Sequence, residues 1–189
     1  MAHSWAVKTL HVTTRSAWRS WLAKHHDTES EIWLVSYRTR TGRRRISYND
    51  AVEEALCFGW IDSIQKGIDE DRVAQRYTPR RRMGGLSEMN KHRVRRLHAE
   101  GKMTPAGMAV IGDALEEQPF ILSKDIERAI QAEPGAWENF ERFPETYRRV
   151  RIAYIETARD RPEEFAKRLR NFVRNTAANR RFGWVKEFR

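Results

Sequence analysis

Two short runs of residues, joined by an acidic turn, constrain the fold of this 189-residue chain more than any other feature. Apolar and polar side chains alternate in residues 60–66 and again in residues 73–78. A period of two is typical of β-strands, because successive side chains point to opposite faces of a sheet. Residues 67–72 form the turn, and Pro79 cannot donate to a strand ladder. The pattern therefore predicts an antiparallel hairpin that ends at this proline.

Signals for helices and for a further strand precede the hairpin. Thr14 is placed to cap a helix, and residues 31–38 are β-branched and aromatic, which predicts a strand. Ser47 is followed three residues later by Asp50, a spacing that resembles a capping box. Gly59 stands where a helix-ending glycine is expected. Helices and strands are therefore interleaved in this half of the chain.

Helix caps and helical apolar stripes dominate the chain from Ser87 onward. We therefore expect an α+β fold, with a small antiparallel sheet and flanking helices, followed by a helical C-terminal region. We place the boundary near residues 117–119. This gives an α+β domain of residues 1–118 and a helical region of residues 119–189.

Arginine dominates the charge of the chain, with 28 arginines against 8 lysines and a formal net charge of +10. Arginine binds carboxylate and phosphate groups bidentately, so this balance favours a polyanionic partner. A GC-rich coding sequence explains the composition equally well, and both explanations stay open. One cysteine excludes a disulfide within the chain, and no apolar run has the length of a leader or a membrane span. We expect a cytoplasmic protein.

The sequence carries few signals of an enzyme. It contains no zinc-binding spacing of His and Cys, no G-x-S-x-G elbow and no phosphate-binding glycine loop. Cys57 lies in an apolar run, so a buried thiol is a better interpretation than a nucleophile. We predict no catalytic residues, no metal and no cofactor, and favour a non-catalytic binding protein while leaving catalysis open.

The hairpin offers one candidate ligand site, which consists of Trp60, Asp62, Arg76 and Arg80. Trp60 would form an apolar wall, and Asp62 would orient an arginine or a donor group of the ligand. The two arginines would hold the anionic group of a small ligand. The alternative is a purely structural ion pair between Asp62 and one of these arginines.

Three clusters of basic residues offer a second candidate, a nucleic-acid surface. The predicted contacts are Arg43, Arg44, Arg45, Arg81, Arg82, Lys91 and Arg95. Clustered arginines and lysines can neutralise several phosphates at once. The competing interpretation is a solvated charged face, because the sequence contains no established nucleic-acid recognition motif.

The run SYNDAVEEALCFGWIDS, residues 47–63, closely resembles the signature block of the YdeI/OmpD-associated, or bacteriocin-protection, family. Similar pieces extend the resemblance over roughly residues 14–183, and its helical tail corresponds to residues 143–168. The resemblance implies a binding or stress-associated protein, and it attaches no general catalytic mechanism or cofactor. One position departs from the family, because Leu86 stands where a tryptophan is usual.

Overall fold

A computed structural model describes residues 7–81 and 85–183 of the chain. It has the predicted α+β architecture, with a four-stranded sheet, flanking helices and a helical C-terminal region. The chain divides into two compact units. The first contains the residues up to Leu86 together with Arg93–Glu116, and the second contains Ser87–His92 and the residues from Glu117 onward.

The elements have the following bounds. The strands are β1 (Thr9–His11), β2 (Ile32–Tyr37), β3 (Trp60–Gly67) and β4 (Arg72–Pro79). The first four helices are α1 (Arg15–His25), α2 (Tyr48–Cys57), α3 (Glu88–Ala99) and α4 (Pro105–Met108). The last four are α5 (Lys124–Gln131), α6 (Ala136–Arg142), α7 (Glu145–Glu156) and α8 (Pro162–Ala177).

The sheet has the strand order β1-β2-β4-β3. Strands β3 and β4 form the predicted antiparallel hairpin, and β4 also pairs antiparallel with β2. The outer strand β1 differs from the prediction, because it runs parallel to β2. Helix α1 lies between these two strands in the chain, and a helical crossover returns the chain in the same direction.

Helix α2 begins and ends as its sequence predicts. The Ser47 hydroxyl accepts a hydrogen bond from the backbone N–H of Asp50 at 3.0 Å, which satisfies one of the free donors of the first turn. Beyond the other end, Gly59 has a φ of +76°. A Cβ there would also lie 2.9 Å from the carbonyl oxygen of Ala106, so only glycine fits between the two segments.

The first unit buries its core between one face of the sheet and its helices. The sheet contributes Ile32, Leu34, Trp60 and Tyr77, and the helices add Trp18, Leu22, Val52, Leu56, Val94 and Leu97. We call this side of the sheet the helix-covered face. A smaller cluster of Trp33, Val35 and Ala74 lies on the opposite, outer face. Leu86 packs against the main core.

The second unit has its own core of apolar side chains from α5, α6, α7 and α8. Its fully buried members include Ile126, Ile130, Phe140, Ile155 and Phe172. The rings of Phe140 and Phe172 meet edge to face at 6.1 Å. Each unit therefore has a hydrophobic core of its own.

Candidate functional site

The four predicted ligand contacts of the hairpin do not share one surface. Asp62 pairs with Tyr77 across the sheet, so both side chains lie on the helix-covered face. Arg76 is the neighbour of Tyr77 on β4 and therefore points to the outer face. Alternation predicts which residues share a face within each strand, but the register between the strands decides which faces meet. The predicted four-residue surface was wrong for this reason.

Arg76 has a structural partner on the outer face. Its guanidinium donates to the Glu31 carboxylate from Nε at 2.9 Å and from Nη2 at 2.5 Å. This bond is the main reason that the pKa of Glu31 is lowered. Glu31 also accepts a hydrogen bond from the indole of Trp33, which anchors the pair beside the small outer cluster.

Trp60 and Arg80 are held by backbone carbonyl groups. Trp60 is 1% exposed, and its indole N–H donates to the carbonyl oxygen of His26 at 3.0 Å. It is therefore a core residue and not the wall of an open pocket. The guanidinium of Arg80 donates to the carbonyl oxygen of Gly85 at 2.7 Å, and burial lowers its pKa.

Asp62 belongs to a different group of polar residues. Its Oδ2 accepts a hydrogen bond from the Tyr48 hydroxyl at 2.8 Å. Its strand partner, Tyr77, is 1% exposed. Arg93 is 6% exposed, and its Nη2 donates to Oδ1 of Asn49 at 2.9 Å. We call Tyr48, Asp62, Tyr77 and Arg93 the two-tyrosine site.

Burial and charge keep both phenols of this site protonated. Burial raises the pKa of Tyr48, and the nearby Asp62 charge raises it further. The pKa of Tyr77 is also raised, first by burial and then by the same carboxylate, while Arg93 opposes both shifts. Both hydroxyl groups of the site are therefore neutral at neutral pH.

Sequence reasoning found Asp62 but missed the other members of this site. Tyr48 lies in the block that carries the family resemblance, and its position in the first turn of α2 brings it to the start of β3. Arg93 is not among the predicted contacts, although it lies among the cations of α3. Its burial between apolar neighbours, Val94 and Leu97, depends on tertiary packing and has no signal in the local sequence.

The predicted nucleic-acid contacts include three consecutive exposed arginines, Arg43, Arg44 and Arg45, which we call the arginine loop. The guanidinium of Arg43 lies over the ring of Tyr37, 4.6 Å from its centroid. Arg45 donates from Nη2 to the Thr39 hydroxyl at 2.7 Å. Within residues 7–81 and 85–183, none of the three pairs with a carboxylate.

The other predicted nucleic-acid contacts have mixed surroundings. Arg81 is exposed, and Arg82 lies outside the described residues. Lys91 pairs with Glu88 one turn earlier on α3 at 2.8 Å. Arg95 donates to the carbonyl oxygens of Ala114 and Glu116 at 2.9 and 2.6 Å, so it ties α3 to the segment after α4. The arginine loop is thus the most accessible of these clusters.

The buried acidic residues of α2 form an ionic network. Glu53 and Glu54 are 5% and 2% exposed. Arg15 contacts both carboxylates, Arg19 binds Glu54 at 2.7 Å, and Arg96 binds Glu53. Each buried carboxylate therefore has two guanidinium partners, which makes the network a structural joint between helices.

The surroundings of Cys57 do not support a role for its thiol as a nucleophile. The thiol is fully buried, and burial is the main reason that its pKa is raised. A raised pKa reduces the thiolate fraction, which is the reactive form. Within the described ranges, no group of three or more His, Cys, Asp or Glu side chains could hold a metal ion.

Fold and sites define a two-unit α+β protein with an exposed arginine loop and a buried polar site in its first unit. Residues 10–110, more than half of the chain, match the family model described as a domain of unknown function (DUF8412), and the chain belongs to that family.

Residues 119–179 match a second family model, described as bacteriocin-protection, YdeI or OmpD-associated. This match confirms the predicted resemblance to that family over residues 119–179. It covers much of the helical second half, whereas the block at residues 47–63 lies inside the first match. No curated protein and no solved structure matches the chain. In the part of the chain that the structure describes, every helix is too short or too polar to cross a membrane.

Proposed function

We propose that this chain is a binding protein whose partner is a nucleic acid, held through its phosphates by the arginine loop. The observation that carries the proposal is the exposure of three adjacent guanidinium groups that pair with no carboxylate of the described residues. Guanidinium groups bind phosphate oxygens bidentately and release condensed counterions when they do so. A location in the cytoplasm and a role in bacteriocin protection or stress stay predictions.

Neighbouring exposed arginines support this choice by contrast. Arg40 pairs with Asp71 at 3.2 Å and with Glu70, and Arg72 pairs with Asp69 at 2.6 Å. The Arg40 pairs reach the β3–β4 turn, the Arg72 pair lies within that turn, and both leave little positive charge for a ligand. The three arginines of the loop have no such carboxylate partner among the described residues, so their positive charge stays available to a ligand.

The loop is also ordered before any partner binds. A short 3-10 helix, Thr39–Thr41, precedes it and ends at Gly42, whose φ of +65° suits glycine. The contacts of Arg43 with Tyr37 and of Arg45 with Thr39 hold two of the three side chains. Less conformational entropy is then lost on binding. Phosphate contacts carry no base information, so we expect binding that depends little on sequence.

Fluorescence anisotropy with a labelled single-stranded oligonucleotide and a labelled duplex tests the proposal. For three phosphate contacts, log K should fall with log salt with a slope of about −2 on single strands and about −3 on a duplex. The triple variant R43Q/R44Q/R45Q should bind at least tenfold more weakly at low salt, by an order-of-magnitude estimate.

The control variant R128Q/R142Q/R170Q removes the same charge from exposed positions of the second unit. We expect it to retain most of the affinity. Equal losses in the two triple variants would attribute binding to the net charge of +10 and contradict a role for the loop. Failure of the unmodified protein to bind either oligonucleotide at low salt would refute the proposal.

A further inference from the structure

A groove of about 760 Å³ lies between α5 and α8 of the second unit, and we call it the α5–α8 groove. Its apolar lining consists of Ala129 from α5 and of Ala166, Leu169 and Val173 from α8. The volume falls within the range of roughly 300–1,000 Å³ that is typical of binding sites. Covering the partly exposed Leu169 would remove further apolar surface from water. The groove is therefore large enough for a ligand and rewards an apolar one.

Three cations of α8 line the same groove. Lys167, Arg170 and Arg174 are all exposed. Spacings of three and four residues place them on one side of the helix, over about 10 Å of its length. Arg174 donates to Oδ1 of Asn171 at 3.0 Å, and none of the three pairs with a carboxylate in the described parts of the chain. Their positive charge is available to a ligand.

Other cations of the second unit are already paired. Arg168, on the same helix, binds Glu164 at 2.8 Å and the carbonyl oxygen of Tyr154 at 2.7 Å. Among the described residues that line the groove, Glu133 is the one carboxylate, against three cations. The lining therefore has a net charge of about +2, which is complementary to an acidic ligand.

The combination of an apolar lining and a row of cations decides between classes of ligand. A nucleic-acid strand would match the charge but leave the apolar side chains uncovered. The charged lining residues are exposed, so the groove is open to solvent and accepts the surface of another polypeptide. An amphipathic helix places apolar side chains in such a groove and carries charged side chains along the edge of its apolar face.

We propose that the α5–α8 groove binds an acidic amphipathic helix of a partner protein. Apolar side chains of that helix enter the space beside Ala129 and Ala166, where the small side chains leave room. Carboxylates one turn apart along its edge pair with Lys167, Arg170 and Arg174, whose spacing of one turn they match. The groove belongs to the second unit, and this proposal does not depend on the nucleic-acid function proposed for the arginine loop.

Fluorescence anisotropy with a labelled synthetic peptide and the full chain tests the proposal. The probe has about 18 residues of Leu, Ala and Glu, with its leucines on one helical face and its glutamates beside them. A scrambled peptide of the same composition has the same charge but no apolar face. It should bind at least tenfold more weakly, as should a peptide with Lys in place of Glu.

Two variants locate the binding site. Ala166→Phe fills the groove and should weaken binding of the probe at least tenfold, whereas Ala99→Phe puts the same ring at an exposed position of α3 and should bind normally. The triple variant K167Q/R170Q/R174Q should also weaken binding about tenfold. Its matched control, K124Q/R128Q/R142Q, removes the same charge from exposed positions outside the groove and should retain the affinity. Circular dichroism establishes that each variant is folded.

Several outcomes would overturn the proposal. The probe would bind no more tightly than its scrambled form, or Ala166→Phe would leave its affinity unchanged. Equal losses in the two triple variants would attribute binding to net charge alone. A dimer in sedimentation equilibrium that Ala166→Phe abolishes would assign the groove to a second copy of the chain. Displacement of the probe by an oligonucleotide as readily as by unlabelled peptide would assign it to nucleic acid.

Discussion

The substitution Gly107→Ala tests how closely α4 packs on α2. A Cβ at this position would lie 2.2 Å from the carbonyl oxygen of Cys57 and 2.7 Å from its carbonyl carbon. Both atoms belong to the backbone, so no side-chain rotation can relieve the clash. The short helix α4 must move away from the end of α2 by roughly 1 Å to restore a normal contact distance.

That movement disrupts a specific set of hydrogen bonds between α4 and the end of α2. The carbonyl oxygen of Cys57 accepts hydrogen bonds from the Thr104 backbone N–H at 3.0 Å and from the Thr104 hydroxyl at 2.6 Å. The same hydroxyl accepts from the N–H of Gly107 and caps α4. Overpacking costs about 1–3 kcal/mol and each weakened hydrogen bond about 1 kcal/mol, whereas alanine regains about 1 kcal/mol of helix propensity. We expect a net loss of about 3 kcal/mol.

Alkylation of Cys57 provides a direct assay, because it is the one thiol of the chain and is buried in the first unit. The thiol reacts only when the structure opens, so its labelling rate follows the opening equilibrium. A loss of about 3 kcal/mol should accelerate labelling roughly a hundredfold. Urea unfolding followed by tryptophan fluorescence should give a matching decrease in midpoint.

Gly85→Ala is the matched control. A Cβ there meets no atom within 4 Å, so both assays should return the values of the unmodified protein. Gly107→Ala labelled at the original rate, with an unchanged urea midpoint, would refute the reasoning about backbone contact.

Two further predictions concern the ion pairs. Glu54→Gln should destabilise the first unit by about 2 kcal/mol in urea unfolding, because two arginines of α1 lose their buried partner, although solvent reaches both. Glu100→Gln, on exposed pairs, should leave the urea midpoint nearly unchanged, and equal effects of the two variants would contradict the difference in burial. Hydrogen bonds from Arg159 lower the pKa of Asp125 and of Glu156 in the second unit. The stabilisation is complete above the ordinary carboxyl pKa and is lost as pH falls through the lowered pKa. Arg159→Gln should flatten this acid dependence of thermal unfolding, and an unchanged profile would count against the pair.

The sequence predicted the local elements of the first unit well. The hairpin has strands at 60–67 and 72–79, and Ser47 caps α2 through the predicted contact with Asp50. These features depend on the period of two, on proline and on a capping side chain, all of which act within a few residues. The resemblance of the chain to the YdeI/OmpD-associated family was also recognisable from short blocks of residues.

The arginine side chains have environments that local sequence patterns could not predict. Arg43, Arg76, Arg93 and Arg95 look alike in the sequence, yet each has a different environment. The first stacks on the partly buried ring of Tyr37, the second pairs with Glu31, and the third is buried and bound to Asn49. Arg95 binds two carbonyl groups. No local pattern distinguishes these cases, because each partner lies several to many residues away in the chain.

The sequence by itself determined the strands, the helix caps, the excess of arginine and the family resemblance. Only the tertiary structure decided that Asp62 and Arg76 point to opposite faces, since strand register is a contact between segments and not a property of either one. The same contacts brought Tyr48 and Tyr77 to Asp62, while the arginine loop stayed in solvent. The sequence specifies the chemistry of each side chain, but the burial of that side chain and its partners depend on which distant segments pack together.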